Sequence, residues 1–311
     1  PMKSALRSCP QCGPSVELPP ERIASPCAFC SSALVDSSAI RESIDRVAPF
    51  DVRREHASGL LARHLQDRWL LPESLRQAGR PEAIHGVLVP FWCYDASARS
   101  TWEAKQGVYW YRTETYTAFE DGKPVTKTRT VRETEWFRTD GSHVASYVDH
   151  LVSGSRGLSE PESNELEPFD LGRALPFRPE LLAGWIAEQP TVARTQAVDV
   201  AAQELADVEN RAIRDFLPAD EVKEVSNETS IQVGELELVL LPVWIATYSH
   251  EDAVLRLLVN GQTGEVVSPK LPKSWAKIFG LIAAFLAVAG IGTLAVLVLA
   301  MQGVVRRGIP A

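Results

Sequence analysis

YWYRTETYTAFEDGKPVTKTRTVRETEWF, residues 109–137, places threonine at every second position, 113, 115 and 117 and again 126, 128 and 130. That is the period of a strand, whose successive side chains point to opposite faces. A two-residue turn at Asp121-Gly122 would set Glu120 opposite Lys123. Thr117 then faces Thr126, Thr115 faces Thr128 and Thr113 faces Thr130, while Glu114 meets Arg129 and Tyr116 meets Lys127. Cross-strand pairs of these kinds are each worth about 0.2–1 kcal/mol, and a single register satisfies all of them. The stretch predicts a long, partly solvated antiparallel hairpin. A second turn is expected at Asp140-Gly141, leading to a strand near residues 143–152.

Upstream, GVLVPFWCYDA (residues 86–96) is apolar enough for a buried strand, in which Pro90 implies a bulge or an unpaired edge position. Before it, PFDVRREHASGLLARHLQDRWLLP places Val52, Leu60, Leu61, Leu65 and Trp69 at near-helical spacing, so an amphipathic helix is expected over about 51–70. Downstream, SGSRGLSEPESNELEP (153–168) is polar and turn-rich and reads as a linker. Its G-S-R-G lacks the spacing and strand–elbow setting of a serine hydrolase. AVDVAAQELADVENRAIRDFL (197–217) has Val198, Ala201, Leu205, Val208, Ala212 and Phe216 on one helical stripe, and RLLVNGQTGEVV (256–267) reads as a hairpin turning around Asn260-Gly261.

These elements echo one another. VLVPFW at 87–92 recurs as VLLPVW at 239–244, and VAPFD at 47–51 recurs loosely as ALPFR at 174–178. Two related β-rich α+β halves are the economical architecture.

The N-terminal part carries C-x2-C-x14-C-x2-C: Cys9, Cys12, Cys27 and Cys30. Each CxxC forms a tight knuckle, and four thiolates close a tetrahedral shell with no position left for water or substrate. That is the pattern of one structural zinc ion in a zinc ribbon. Iron is the alternative, since the first knuckle reads CPxCG, although the second has Ala28 and Ser31 in place of the Pro and Gly. Cys93 lies in an apolar run and reads as buried filler rather than a nucleophile. His56 and His64 are eight residues apart, unlike the i, i+4 pairs of zinc helices, and the six histidines show no ligand spacing. No P-loop, GxGxxG or HExxH occurs, and pairs such as Glu160/Glu162 and Glu165/Glu167 sit in the polar linker, where solvated charge is the default. No catalytic residue is expected and the chain is not expected to be an enzyme.

With 32 basic against 40 acidic residues the net charge is −8, which disfavours a phosphate-backbone binder. Residues 278–301 hold no formal charge, and as a helix they would reach roughly 36 Å against a hydrocarbon core of about 30 Å. Lys270, Lys273 and Lys277 with Trp275 flank one end, and Arg306 and Arg307 the other. A single C-terminal transmembrane helix is expected, with Gly280, Gly290, Gly292, Ala283 and Ala287 offering a small-residue face for another span. Thiolate ligands need a reducing compartment, so the bulk of the chain is expected on the cytoplasmic side of the bacterial inner membrane.

The order CPxCG…CxxC, GVLVPFWCYDA, EPFDLGRALPFRPELLAGWIAE, LLPVW and VNGQTGEVV resembles a bacterial family of zinc-ribbon membrane proteins, often labelled TFIIB-type zinc ribbon or as relatives of a primosomal helicase. The likeness runs from Cys9 to about Lys277, and the second knuckle, CAFCS, departs from the usual CPYCG. It implies zinc ligands at Cys9, Cys12, Cys27 and Cys30 and a non-enzymatic membrane component. Some relatives are encoded beside phage-shock protein A, SPFH-domain and TPM-domain proteins, so partners of those kinds are implied.

The expectation is therefore a zinc ribbon over 1–36, a first α+β half with the long hairpin over 37–152, a second half over 153–272, and an anchor with a short tail over 273–311. The function expected is a tail-anchored adaptor or scaffold of membrane stress, with a membrane-tethered nucleic-acid-binding regulator as the alternative.

Overall fold

The computed structural model describes residues 5–36, 40, 42–79, 81–120, 123–251, 253–268 and 271–282. It is a strand-rich α+β protein. In chain order the elements are β1 (Ala5–Ser8), β2 (Ser15–Leu18), β3 (Arg22–Pro26), β4 (Ala33–Val35), β5 (Arg46–Val47), α1 (Arg54–Asp67), α2 (Glu73–Arg76), β6 (Ala83–Glu120) and β7 (Lys123–Ser153). They continue with α3 (Glu160–Leu166), β8 (Leu175–Pro176), β9 (Ile186–Glu188), α4 (Arg194–Phe216), β10 (Glu221–Val233), β11 (Glu237–His250), β12 (Ala253–Asn260) and β13 (Val266–Val267). Two compact units emerge. One comprises the described parts of Pro1–Pro49, Val87–Asn164 and Asp170–Pro242; the other those of Phe50–Gly86, Glu165–Phe169 and Val243–Ala311. The units are interleaved along the chain, not consecutive as the expected halves are.

The physical reason lies in how the recurrent stretches bond. Trp92 donates its indole N–H to the carbonyl of Val192, two residues before α4, at 3.0 Å; Trp244 donates to Val52, two residues before α1, at 2.8 Å. The carbonyl of Gly154 accepts from the amides of Thr191 and Val192, and that of Gly261 from those of Asp51 and Val52. β9 runs parallel to β6 with Val87 opposite Ile186, and β5 runs parallel to β11 with Arg46 opposite Val239. The buried faces correspond as well: Ala57, Leu61 and Leu65 on α1, and Ala197, Ala201 and Leu205 on α4. VLVPFW and VLLPVW thus play one role twice, and each receives a helix from the other half of the sequence, α4 and α1 respectively. VAPFD and ALPFR do not play matching roles: their strands pair with each other, Val47 opposite Leu175.

In the first unit, β7, β6 and β10 form an antiparallel sheet with α4 on one face. From Ala96 to Ala104 the even residues of β6 are buried under α4 and the odd ones face outward. β10 stops pairing at Gly107, and beyond it β6 and β7 continue alone to Glu120 and Lys123 as a two-stranded arm. The arm keeps the expected register, Thr117 opposite Thr126 through Thr113 opposite Thr130, with Arg129 on Glu114 at 2.9 Å and Lys127 on Glu120. The expected turn residues, Asp121 and Gly122, lie outside the described residues.

The second expected turn is absent. β7 runs straight through Asp140 and Gly141, which pair with Glu103 and Trp102. Gly141 is there because the Trp102 ring lies across it: a Cβ would come within 2.6 Å of Trp102 Cζ2. Pro90 stands outside the ladder with β7, as an unpaired position would, and the bulge falls elsewhere. The ladder is continuous to Phe91, and the irregularity falls between Tyr94 and Ala96. On α4, Phe216 is exposed and Val208 and Ala212 are only half-buried, because the buried face turns instead through Glu209 and Ile213.

Candidate metal centre

The knuckles sit at the turns between β1 and β2 and between β3 and β4, and they share one hydrogen-bond pattern. The Cys9 amide donates to Pro14 O and the Gly13 amide to Cys9 O; the Cys27 amide donates to Ser32 O and the Ser31 amide to Cys27 O. The fifth residue of each knuckle takes a left-handed backbone, Gly13 at φ +90° and Ser31 at φ +59°. Glycine adopts that conformation freely, whereas an L side chain there costs about 1–2 kcal/mol.

The four sulfurs lie within 4.8 Å of one another, with Cys9 to Cys30 at 3.6 Å and Cys12 to Cys27 at 3.8 Å. A tetrahedral ion holding thiolates at about 2.3 Å sets its sulfurs about 3.8 Å apart, so the donor set fits one such ion. Cys9 and Cys27 are buried against Leu34 and Val16, while Cys12 and Cys30 are exposed. The ion would therefore sit between a small apolar core and solvent.

Ser32, which the motif does not flag, reaches across the site. Its hydroxyl is 3.1 Å from Cys9 Sγ and 3.0 Å from Cys30 Sγ. That contact brings the Cys9 thiol down to about 6 and lowers Cys30 as well. Cys12 moves the opposite way, chiefly through its contact with Cys30 and then through burial. Four sulfurs this close cannot all carry charge alone, and a divalent cation would resolve the conflict.

The ribbon is not free-standing. β3 pairs with β9, Arg22 opposite Glu188 and Ala24 opposite Ala187, so that strand edge is occupied within the first unit. Buried Asp36 holds Arg7 at 2.8 Å across it.

The remaining singled-out residues do other work. Cys93 is buried, and burial, then Asp149, push its thiol up to about 12; its Sγ lies 3.6 Å from Asp149 and 3.7 Å from Arg46. A thiol so placed stays protonated and packs. His64 bonds Ser268, His250 bonds Ser74, and His56 and His85 are exposed. Among the described residues the four cysteines form the one group suited to a metal.

Two carboxylate clusters escape a linear reading. Glu209, fully buried, accepts from Ser100 Oγ at 2.7 Å, His143 Nδ1 at 2.7 Å and Tyr147 OH at 2.6 Å. Burial alone would raise its pKa, yet these donors and the His143 charge together lower it. Their signal was the polar residues Ser100, His143 and Tyr147 on the inward face of otherwise amphipathic strands. Glu204 is pushed up to about 7, first by burial and then by Glu160, whose carboxyl is raised by burial too. The expected linker is accordingly a packed element: Glu162 is buried and caps α3 by accepting from the Ser159 amide and hydroxyl.

Fold and site define the class, a strand-rich α+β protein with an N-terminal four-cysteine cluster that could hold one metal ion. No family model matches the chain, and no solved structure matches it significantly. It is 27% identical over 242 residues, 75% of this chain, to "Uncharacterized protein YdjG" of Bacillus subtilis (strain 168). The match spans 65% of that relative's length.

No described helix is long and apolar enough to cross a membrane. Most of the expected span, 283–301, lies outside the described residues, as do Lys270, Ala283, Ala287, Gly290, Gly292, Arg306 and Arg307. Residues 275–282 are helical, with Trp275, Phe279, Leu281 and Ile282 exposed. Lys277 is not a free flanking charge: its ammonium donates to the carbonyls of Trp69 and Leu71, both at 2.9 Å.

Proposed function

We propose that this protein is a non-enzymatic adaptor, anchored in the bacterial cytoplasmic membrane by residues 278–301 with its bulk facing the cytoplasm. It holds partner proteins at the membrane in the response to envelope stress. The ion at Cys9, Cys12, Cys27 and Cys30 is zinc, and its role is structural, because four thiolates complete its coordination shell. The observation that carries the reading is the arm of β6 and β7 beyond Gly107. It has no helix or third strand over it among the described residues, and it exposes Trp110, Tyr111, Tyr116 and Phe119. Large aromatics presented side by side on a strand pair suit a protein-docking surface, since they bring contact area at little cost in side-chain entropy. The anchor is supported by the 24 uncharged residues of 278–301, and by the exposed Phe279, Leu281 and Ile282 on the helical turns that open the segment. Partners akin to SPFH-domain, TPM-domain or phage-shock-protein-A proteins come from the family resemblance.

No observation favours the nucleic-acid-binding regulator. Three of the arm's cations are matched by carboxylates, Arg112 with Glu133, Arg129 with Glu114 and Lys127 with Glu120, and Arg132 lies over the Tyr109 ring.

The test is affinity capture of the full chain from native membranes under mild detergent, with metal content measured in parallel and a variant whose arm is shortened to a tight turn after Val108. The expected result is about one zinc per chain and membrane-stress partners in fixed ratio, lost from the short-arm variant. Recovery of the protein alone, or identical partners with and without the arm, overturns the reading.

A further inference from the structure

We propose that the outer edge of β6 between Tyr111 and Phe119 is a two-fold dimerisation seam that takes the same edge of a second copy of this chain. The inference comes from the backbone and does not depend on the adaptor reading.

In an antiparallel strand every second residue turns both its N–H and its C=O to the same side. Asp220 fixes which residues of β6 turn away from β7. Its carboxylate accepts the Tyr109 amide at 2.7 Å, and its own amide donates to Gly107 O at 3.1 Å. These two bonds end the pairing of β10. From there the outward groups belong to Tyr111, Thr113, Thr115, Thr117 and Phe119, and no strand among the described residues lies against them.

Soluble proteins shield such an edge with lysines, prolines or a covering element. The opposite edge of the arm is shielded in that way, by Lys123, Pro124, Lys127, Arg129 and Arg132 on β7. The β6 edge is not. YWYRTETYTAF, residues 109–119, has five aromatics, no proline or glycine, and one Arg against one Glu. High strand propensity with no net charge is the signature of a segment that pairs with its own kind.

The outward row is also a palindrome in residue class: aromatic, Thr, Thr, Thr, aromatic, centred on Thr115. With the two-fold axis at Thr115, Thr113 faces Thr117 of the second copy and Tyr111 faces Phe119. On the other face Arg112 meets Ala118 and Glu114 meets Tyr116, so no like charges oppose each other. Moving the axis to residue 114 sets Glu114 against its own copy, and moving it farther toward the body drives the second strand into the space held by Asp220 and β10. The axis at Thr115 gives roughly ten backbone hydrogen bonds over about 30 Å. It also covers the two most exposed aromatics of the row, Tyr111 at 64% and Phe119 at 76%. A C2 seam of this kind is self-complementary, which is why a second copy fits it better than an unrelated strand.

The experiment uses the full chain in mild detergent. Thr115→Cys brings two cysteines together across the axis at about 5.5 Å between Cα atoms, within the range a disulfide spans. Thr113→Cys separates its copies by about 13 Å, four residues along the strand, and needs Thr117→Cys on the other copy. The expected result is rapid cross-linking by T115C alone and by a mixture of T113C and T117C, with none by T113C alone. T115K, which opposes two ammonium groups at the axis on a site remote from the α4 core, should weaken dimerisation at least tenfold by sedimentation equilibrium. A protein monomeric at every concentration, T113C linking as fast as T115C, or a dimer indifferent to T115K overturns the proposal.

Discussion

Replacing Ser31 with glycine should make the metal centre tighter. Ser31 occupies the left-handed position of the second knuckle at φ +59°, where the first knuckle has Gly13 at φ +90°. An L residue there costs about 1–2 kcal/mol, and glycine returns some 0.5–1 kcal/mol of that through the greater freedom of its unfolded chain. The net gain is about 0.5–1 kcal/mol, a two- to fivefold slower loss of zinc to a competing chelator. The reciprocal change isolates the cause. A Cβ at Gly13 would meet nothing within 4 Å, so Gly13→Ser has no clash to confuse the result and should lose about 0.5–1 kcal/mol through backbone strain alone. Zinc release is followed with a chromophoric chelator across the wild-type chain, S31G, G13S and the double exchange, which should return close to wild type. The reasoning is refuted if S31G releases zinc faster, or if G13S leaves the rate unchanged.

Glu209→Ala strands the Ser100, His143 and Tyr147 donors beneath α4, and should cost about 3–5 kcal/mol in chemical denaturation, with Glu209→Gln losing less. Glu204 titrates the other way. Its folded-state pKa is raised to about 7, so its favourable contribution is complete below the ordinary carboxylate range and is lost as the pH climbs through about 7. Discounted for its one-fifth exposure, Glu204→Gln should stabilise by about 1–2 kcal/mol at pH 8 and by almost nothing at pH 4, a contrast read from paired denaturation curves. Gly141→Ala should cost about 1–3 kcal/mol by displacing the Trp102 ring, and near-ultraviolet circular dichroism should register the tryptophan's changed surroundings.

Where the sequence misled, polar or turn-forming residues were doing buried work. Asp140-Gly141 has the composition of a hairpin turn, but the glycine answers to a tryptophan that lies 39 residues earlier and directly across the strand pair. Residues 153–168 read as a linker because their polar side chains find local partners, such as Ser159 and Glu162, which no hydrophobic pattern reveals. The α4 stripe was drawn around Glu209, since a carboxylate enters a core only where donors from other elements have already gathered.

The sequence by itself determined whatever depends on near neighbours. The grouping of the four cysteines followed from CxxC spacing, the arm's register from threonine pairs and opposed charges, and the recurrence of VLVPFW from plain repetition. Only the tertiary structure decided which helix each recurrent strand would receive and which edge of the ribbon β9 would occupy. It also decided where pairing along β6 would stop. Those outcomes rest on contacts between residues a hundred or more positions apart, where the chain's local preferences are silent and the competition for buried hydrogen bonds settles the matter.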